Sequence, residues 1–254
     1  MKLNYKKVGV GNPLIILHGL FGSLDNWMGI AKTLGEHFEV YVVDARNHGQ
    51  SFHSEEFDYE VMADDLYEFI QEHQIVNSVV LGHSMGGKTA MQFAMNYPDK
   101  LSKLIVVDIA PKSYPIHHRQ IIDGLLFLDF DVLKTRTEAD IELGKYIEDI
   151  SVRQFLLKNL YWVEKDKLRW RFNLDVINKQ IEVIGKGLNN IHQFNLPTLF
   201  VRGERSNYIL DSDIESIHSI FNKAELKTVS DSGHWVHAEN QLEFLKTIIN
   251  FLMD

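Results

Sequence analysis

Cysteine is absent from all 254 residues. That excludes disulfides, thiolate catalysis and cysteine-ligated zinc, and it fits a reducing compartment, so a cytoplasmic location is expected. Basic patches are also missing. Lys and Arg number 26 against 35 Asp and Glu, for a formal net charge of −9. Nucleic acids and anionic membrane surfaces are bound through clustered Lys and Arg, so neither is expected as a partner. The longest apolar runs, such as "LIVV" at 104–107, are strand-length and fall far short of the roughly 20 residues that span a bilayer. The opening "MKLNYKKVGVGN" carries no apolar core of a signal peptide. Internal repeats and low-complexity linkers are not found either.

What is present is an ordinary globular composition, 45% hydrophobic and 24% charged, with room for a sizeable core. Apolar runs "PLIILHG" (13–19), "FEVYVVDARNHG" (38–49), "SVVLGH" (78–83) and "KLIVVDIAP" (103–111) read as buried strands. Between them lie helical patterns. Val61, Leu66, Phe69 and Ile70 share one side of 59–73, and Ala90, Phe93, Ala94 and Tyr97 repeat at helical spacing before Pro98 stops them. Apolar strands alternating with helices predict an α/β fold with a mostly parallel sheet covered on both faces. From 112 to 190 the apolar strands stop and helical, charged sequence takes over. "PTLFVRG" (197–203) and "AELKTV" (224–229) then resume the sheet, and Leu242, Leu245, Ile248, Ile249 and Leu252 make a final helical face. The expected organisation is a core of 1–111 and 191–254, interrupted by a helical cap at 112–190.

One stretch, "LGHSMGGKT" at 81–89, fits two catalytic motifs. Gly82-His83-Ser84-Met85-Gly86 is a G-x-S-x-G nucleophile elbow. Gly82 to Gly87, followed by Lys88 and Thr89, is the G-x-x-x-x-G-K-[ST] loop of a nucleotide-binding ATPase, and the strand ending at Asp108 could serve its Mg²⁺. Rarity favours the second, because the elbow arises by chance in about one chain of this length in ten and the phosphate loop in roughly one in a hundred. Context favours the first. A serine hydroxyl needs a base beside it and backbone N–H donors for the developing oxyanion. Gly233-His234 lies in the loop between the last strand and the last helix, where a hydrolase keeps its base. "LHGLFG" puts a Gly turn after a central strand and frees the N–H of Leu20 or Phe21 to face the nucleophile. The phosphate-loop reading leaves both features unexplained, and Lys88 is then expected to be a solvated helix residue.

Together "HGLFGSLDNW", "VDARNHGQS", "GHSMGGK", "VVDIAP", "WRFN" and "GHWVHAE" resemble the α/β-hydrolase superfamily and, more narrowly, the bacterial YbfF-type esterases, from about residue 14 to the C-terminus. The resemblance implies an α/β-hydrolase fold and a carboxylesterase acting on acyl esters, with acyl-CoA thioesters as a further substrate class. It implies Ser84 as nucleophile, His234 as base, and the N–H groups of Leu20 (or Phe21) and Met85 as the oxyanion hole. It implies no metal and no organic cofactor. A non-catalytic ligand sensor on the same fold is the other alternative.

The triad acid departs from the superfamily's usual place. Three residues after the glycine of "TLFVRG" stands Ser206, which carries no charge; Asp211 and Asp213 come later. Asp108, at the C-terminal end of "KLIVVD", is the expected acid, because its strand follows the elbow's helix and ends on the same sheet edge as Ser84. Asp231 is expected to form a turn. Phe21 and Met85 are expected to line the substrate pocket. Trp162 and Trp170 are candidates for its wall, with the cap's own core as the alternative for them and for Phe172. His83, His18 and His237 are expected to be structural, and His48 to be a turn residue.

Overall fold

The computed structural model describes residues 2–115, 119–189 and 191–254. Seven strands form one sheet: β1 (Tyr5–Val8), β2 (Asn12–Leu17), β3 (Phe38–Val43), β4 (Ser78–His83), β5 (Leu101–Val107), then β8 (Thr198–Gly203) and β9 (Ala224–Val229). Their spatial order is β1-β3-β2-β4-β5-β8-β9. Only β1 runs antiparallel to its neighbour; the remaining pairings are parallel.

The central strands are mainly apolar because both of their faces are covered. Their side chains alternate strictly between two cores. Ile15, Leu17, Val80, Leu104, Val106 and Phe200 enter one, shared with α2 (Tyr59–Glu72), α3 (Met85–Asn96) and α8 (Ile214–Ile220). Leu14, Ile16, Leu81, Ile105, Val107 and Val201 enter the other, packed by α1 (Met28–Leu34) and α10 (Gln241–Met253). The short α9 (Val236–Glu239) precedes α10. The expected mostly parallel sheet flanked by helices is therefore found, with one strand more than the apolar runs indicated. β1, "YKKV", is largely exposed on the sheet edge, so it lacks the hydrophobic signature of its neighbours.

Between β5 and β8 the chain leaves the sheet. It forms α4 (Arg119–Phe127), α5 (Arg136–Leu143), α6 (Ile150–Leu157) and α7 (Leu174–Gly185). It also forms a hairpin of β6 (Leu160–Glu164) and β7 (Lys167–Trp170), so the expectation of a purely helical insertion is corrected. The charged "EKDK" is the hairpin's turn, with Asp166 at φ 58°. The insertion has an apolar interior of its own residues, including Ile122, Leu156, Leu160, Phe172 and Ile177, and Leu20, Phe21, Tyr59 and Met85 of the sheet side join it. It therefore sits over the C-terminal edge of the sheet.

Candidate active site

Ser84 follows β4 directly and opens α3. Its backbone is in the left-handed region, φ 54°, a strained conformation for a residue with a Cβ. The turn exists because its flanking positions are glycine. A Cβ on Gly82 would lie 2.1 Å from the Gly86 carbonyl oxygen, and one on Gly86 would lie 2.5 Å from that of Leu17. The helix begins at Met85, so residues 82–87 form a strand end and a helical turn, with no loop left to wrap a phosphate. Lys88 is not the solvated residue expected. It is 1% exposed, because it points inward beneath the insertion and donates to the Lys186 carbonyl.

His234 reaches Ser84 from the loop after β9: the Ser84 hydroxyl lies 3.1 Å from His234 Nε2. The other ring nitrogen, Nδ1, is 2.8 Å from Asp108 Oδ2. Asp108 is fully buried at the end of β5. Its Oδ1 accepts the Gly203 N–H at 3.1 Å, and its Oδ2 also accepts the Ser206 hydroxyl. Asp108 too is in the left-handed region, φ 52°. The other carboxylates considered for this position are engaged elsewhere. Asp211 pairs with Arg202 at 2.7 Å, Asp213 pairs with Lys112, and Asp231 makes a turn at φ 51°.

The loop after β2 packs against Ser84; a Cβ on Gly19 would come within 3.3 Å of Ser84 Cβ. Its two candidate donors separate here. The Phe21 N–H points to His48 Nε2 at 3.2 Å, so Phe21 is withdrawn as an oxyanion donor. No hydrogen bond within the protein takes the Leu20 N–H among the described residues, and the Met85 N–H, at the first position of α3, has no intrahelical acceptor.

Four buried histidines surround this arrangement, and the bonds of three of them fix tautomers. His48 accepts from Phe21 on Nε2 and so carries its proton on Nδ1, which faces the Arg46 carbonyl at 3.0 Å. His18 accepts the Ala45 N–H on Nε2 at 3.0 Å, leaving Nδ1–H for the Gly19 carbonyl at 2.8 Å. His83 Nε2 donates to the His234 carbonyl at 2.8 Å. His237, in α9, stacks on Trp27 with ring centroids 4.0 Å apart. Burial pushes His48 and His237 down to about 3, and lowers His18 and, more strongly, His83. Each is held as a neutral scaffold group. Sequence reasoning gave His48 only a turn; its bond to Phe21 is a long-range contact that no local pattern signals. Tyr208 was also missed. Its ring stacks on His234, with centroids 3.9 Å apart and planes at 19°.

A cavity of ≈ 230 Å³ opens on Ser84 and His234. Leu20, Phe21 and Trp27 wall it from the sheet side, and Val152, Phe155 and Leu156 from the insertion. Phe21 is thus one of its lining residues. Met85 lines a separate, smaller recess on the other flank of Ser84. Trp162 and Trp170 line neither. Trp162 is half exposed on the hairpin beneath Arg136, and Trp170 stacks on Phe172 inside the insertion. Their expected place in the pocket wall is thus corrected.

Residues 12–241 match the model of the family described as alpha/beta hydrolase fold. The chain is 38% identical over 252 residues to a zebrafish (Danio rerio) protein, the sn-1-specific diacylglycerol lipase ABHD11, covering 96% of this chain and 79% of that one. It is 34% identical over 260 residues to the Escherichia coli esterase YbfF, with both chains covered completely. Among solved structures, a marine microorganism esterase superposes with a TM-score of 0.96 at 44% identity, covering 98% of this chain and 99% of the other.

Proposed function

The chain belongs to the α/β-hydrolase family and is a hydrolase of the esterase/lipase type, and from that premise we propose that it cleaves carboxylic esters through an acyl-enzyme on Ser84. The observation that carries this reading is the unbroken relay from Ser84 Oγ to His234 Nε2 at 3.1 Å and from His234 Nδ1 to Asp108 at 2.8 Å. The Ser84 oxygen attacks the ester carbonyl as its proton passes to His234 Nε2. Negative charge gathers on the carbonyl oxygen and is met by the N–H groups of Leu20 and Met85. His234 then protonates the departing alcohol. Water enters and gives a proton to the same nitrogen as its oxygen bonds to the acyl carbon; the bond to Ser84 Oγ then breaks, His234 returns the proton to that oxygen, and the acid leaves. Asp108 keeps the Nδ1–H tautomer in place and stabilises the imidazolium that forms twice per turnover.

The substrate is a small acyl ester. The cavity is lined mainly by apolar side chains and opens at the nucleophile, which suits a short to medium acyl chain. A thioester offers the same carbonyl with a better leaving group, so acyl-CoA thioesters fall within the same chemistry. A fluorophosphonate probe should label Ser84 with one-to-one stoichiometry. Ser84→Ala should hydrolyse p-nitrophenyl butyrate no faster than buffer while keeping its circular dichroism spectrum. Turnover by that variant at the parent rate would remove the assignment.

A further inference from the structure

The lysine of the "GGKT" stretch is not explained by ester hydrolysis. Lys88 lies one helical turn past Ser84 on α3 and is 1% exposed. Its ammonium has three donors. One goes to the Lys186 carbonyl. The group otherwise sits over the rings of Tyr114 and Tyr59, at 4.9 and 5.4 Å from their centroids. No carboxylate forms an ion pair with it among the described residues. A buried cation without an anion is costly. Consistent with that cost, loss of hydration draws the ammonium down to about 8, which leaves it mainly protonated at neutral pH. Tethering Lys186 needs only a neutral donor, so the tether does not explain the charge.

Lys88 is nonetheless one of the residues that line the recess on the second flank of Ser84, together with Leu20, Met85, Ile184 and Tyr208. This recess measures ≈ 40 Å³, room for about three water-sized groups, which matches a carboxylate on a short stem. The apolar stem would lie along Leu20, Met85 and Ile184, and the charge would meet the cation at the end.

We propose that this recess is a subsite for a substrate carboxylate, with Lys88 as its counter-ion, so that the enzyme favours esters carrying a free acid group a few bonds from the scissile carbonyl. The inference rests on the serine-esterase reading. The acid group can belong to the acyl side, as in a half-ester of a short dicarboxylic acid, or to the alcohol side, as in an ester of a short hydroxy acid.

The test compares kcat/KM for matched pairs at pH 7. Monoethyl glutarate is set against ethyl pentanoate for the acyl side, and the butyryl ester of 3-hydroxypropanoate against butyl butyrate for the alcohol side. One pair should show the charged ester preferred by about ten- to a hundred-fold, the range of a charge-assisted hydrogen bond to a buried group, and the pair that shows it names the side. In Lys88→Met the charged-to-neutral ratio should collapse towards one, whatever happens to the absolute rates; Lys88→Gln, which keeps a donor for Lys186, serves if Lys88→Met does not fold. Calorimetric titration with glutarate reads the subsite without any turnover, and binding should be lost in the same variants. Equal rates for both members of each pair, or a ratio unchanged by the substitutions, overturns the subsite while leaving Ser84-dependent butyrate hydrolysis untouched. Failure of that hydrolysis with glutarate binding intact would overturn the esterase reading alone.

Discussion

At the scale of single residues, the clearest consequence concerns Asp108. It is buried, bound to His234 Nδ1, and braced by the Gly203 N–H and the Ser206 hydroxyl. Asn in its place keeps the shape and removes the charge, and it can present an amide N–H that favours the wrong histidine tautomer. Asp108→Asn is expected to lower kcat by roughly 10³- to 10⁴-fold, the range that tautomer loss gives in such triads, with the thermal midpoint nearly unchanged. Asp211→Asn should leave steady-state rates within about twofold, because Asp211 is exposed and pairs only with Arg202. A reversed pattern in the two variants would move the acid to the later strand. The place of Asp108 at a strand end was readable. The part played by Ser206 was not, since the sequence shows only that the usual carboxylate is missing there, and the hydroxyl's bond to Asp108 spans 98 residues. His48 was hidden for the same reason.

At the scale of elements, legibility followed burial. β2, β4, β5 and β8 are buried on both faces and so announce themselves as apolar runs. β1 borrows its strand conformation from hydrogen bonds to β3, and exposed Lys6 and Lys7 give no periodic signal. The β6–β7 hairpin is hard to read for a related reason, because its aromatic residues pack on the insertion or face solvent in no simple alternation. Trp162 tests that placement. Being half exposed and away from both recesses, it should tolerate Trp162→Ala with kcat/KM for butyrate esters within about twofold of the parent and a stability change of roughly 0.5 kcal/mol or less. A tenfold rise in KM would return it to the pocket wall. The elbow is the opposite case. Gly82→Ala would drive a methyl carbon to 2.1 Å from the Gly86 oxygen, where backbone, not a flexible side chain, must yield. That variant should lose fluorophosphonate labelling and unfold at markedly lower denaturant; full labelling would mean that the turn relaxes more easily than its geometry implies.

At the scale of the whole molecule, the neutral histidines tie the stability of the fold to pH. His48 and His237 have folded-state values near 3 because burial disfavours the imidazolium, whereas in the unfolded chain they return to about 6.5. Between those limits the unfolded state binds protons that the folded state refuses. Stability is therefore fully present above about pH 6.5 and is lost as pH falls towards 3, by roughly 3 kcal/mol per histidine at pH 4. His83 is shifted in the same direction and adds to the slope. Carboxylates contribute acid sensitivity as well, so the diagnostic quantity is a difference between proteins. Among the described residues His237 has no partner for its Nδ1, and it is held by stacking on Trp27, which allows His237→Phe to keep the contact while deleting the titration. Urea midpoints measured at pH 7, 5.5 and 4 should fall steeply for the parent and less steeply for His237→Phe, with the two curves diverging below about pH 6. Parallel curves would mean that His237 takes up its proton in the folded protein at its ordinary value, and would rule out this coupling of fold and pH. The same cluster holds the Phe21 amide and the His234 carbonyl in place, so protonation that breaches it should disorder the loop after β2 and the loop that carries His234 together. Irreversible loss of esterase activity on acid exposure is accordingly expected to track the unfolding midpoint.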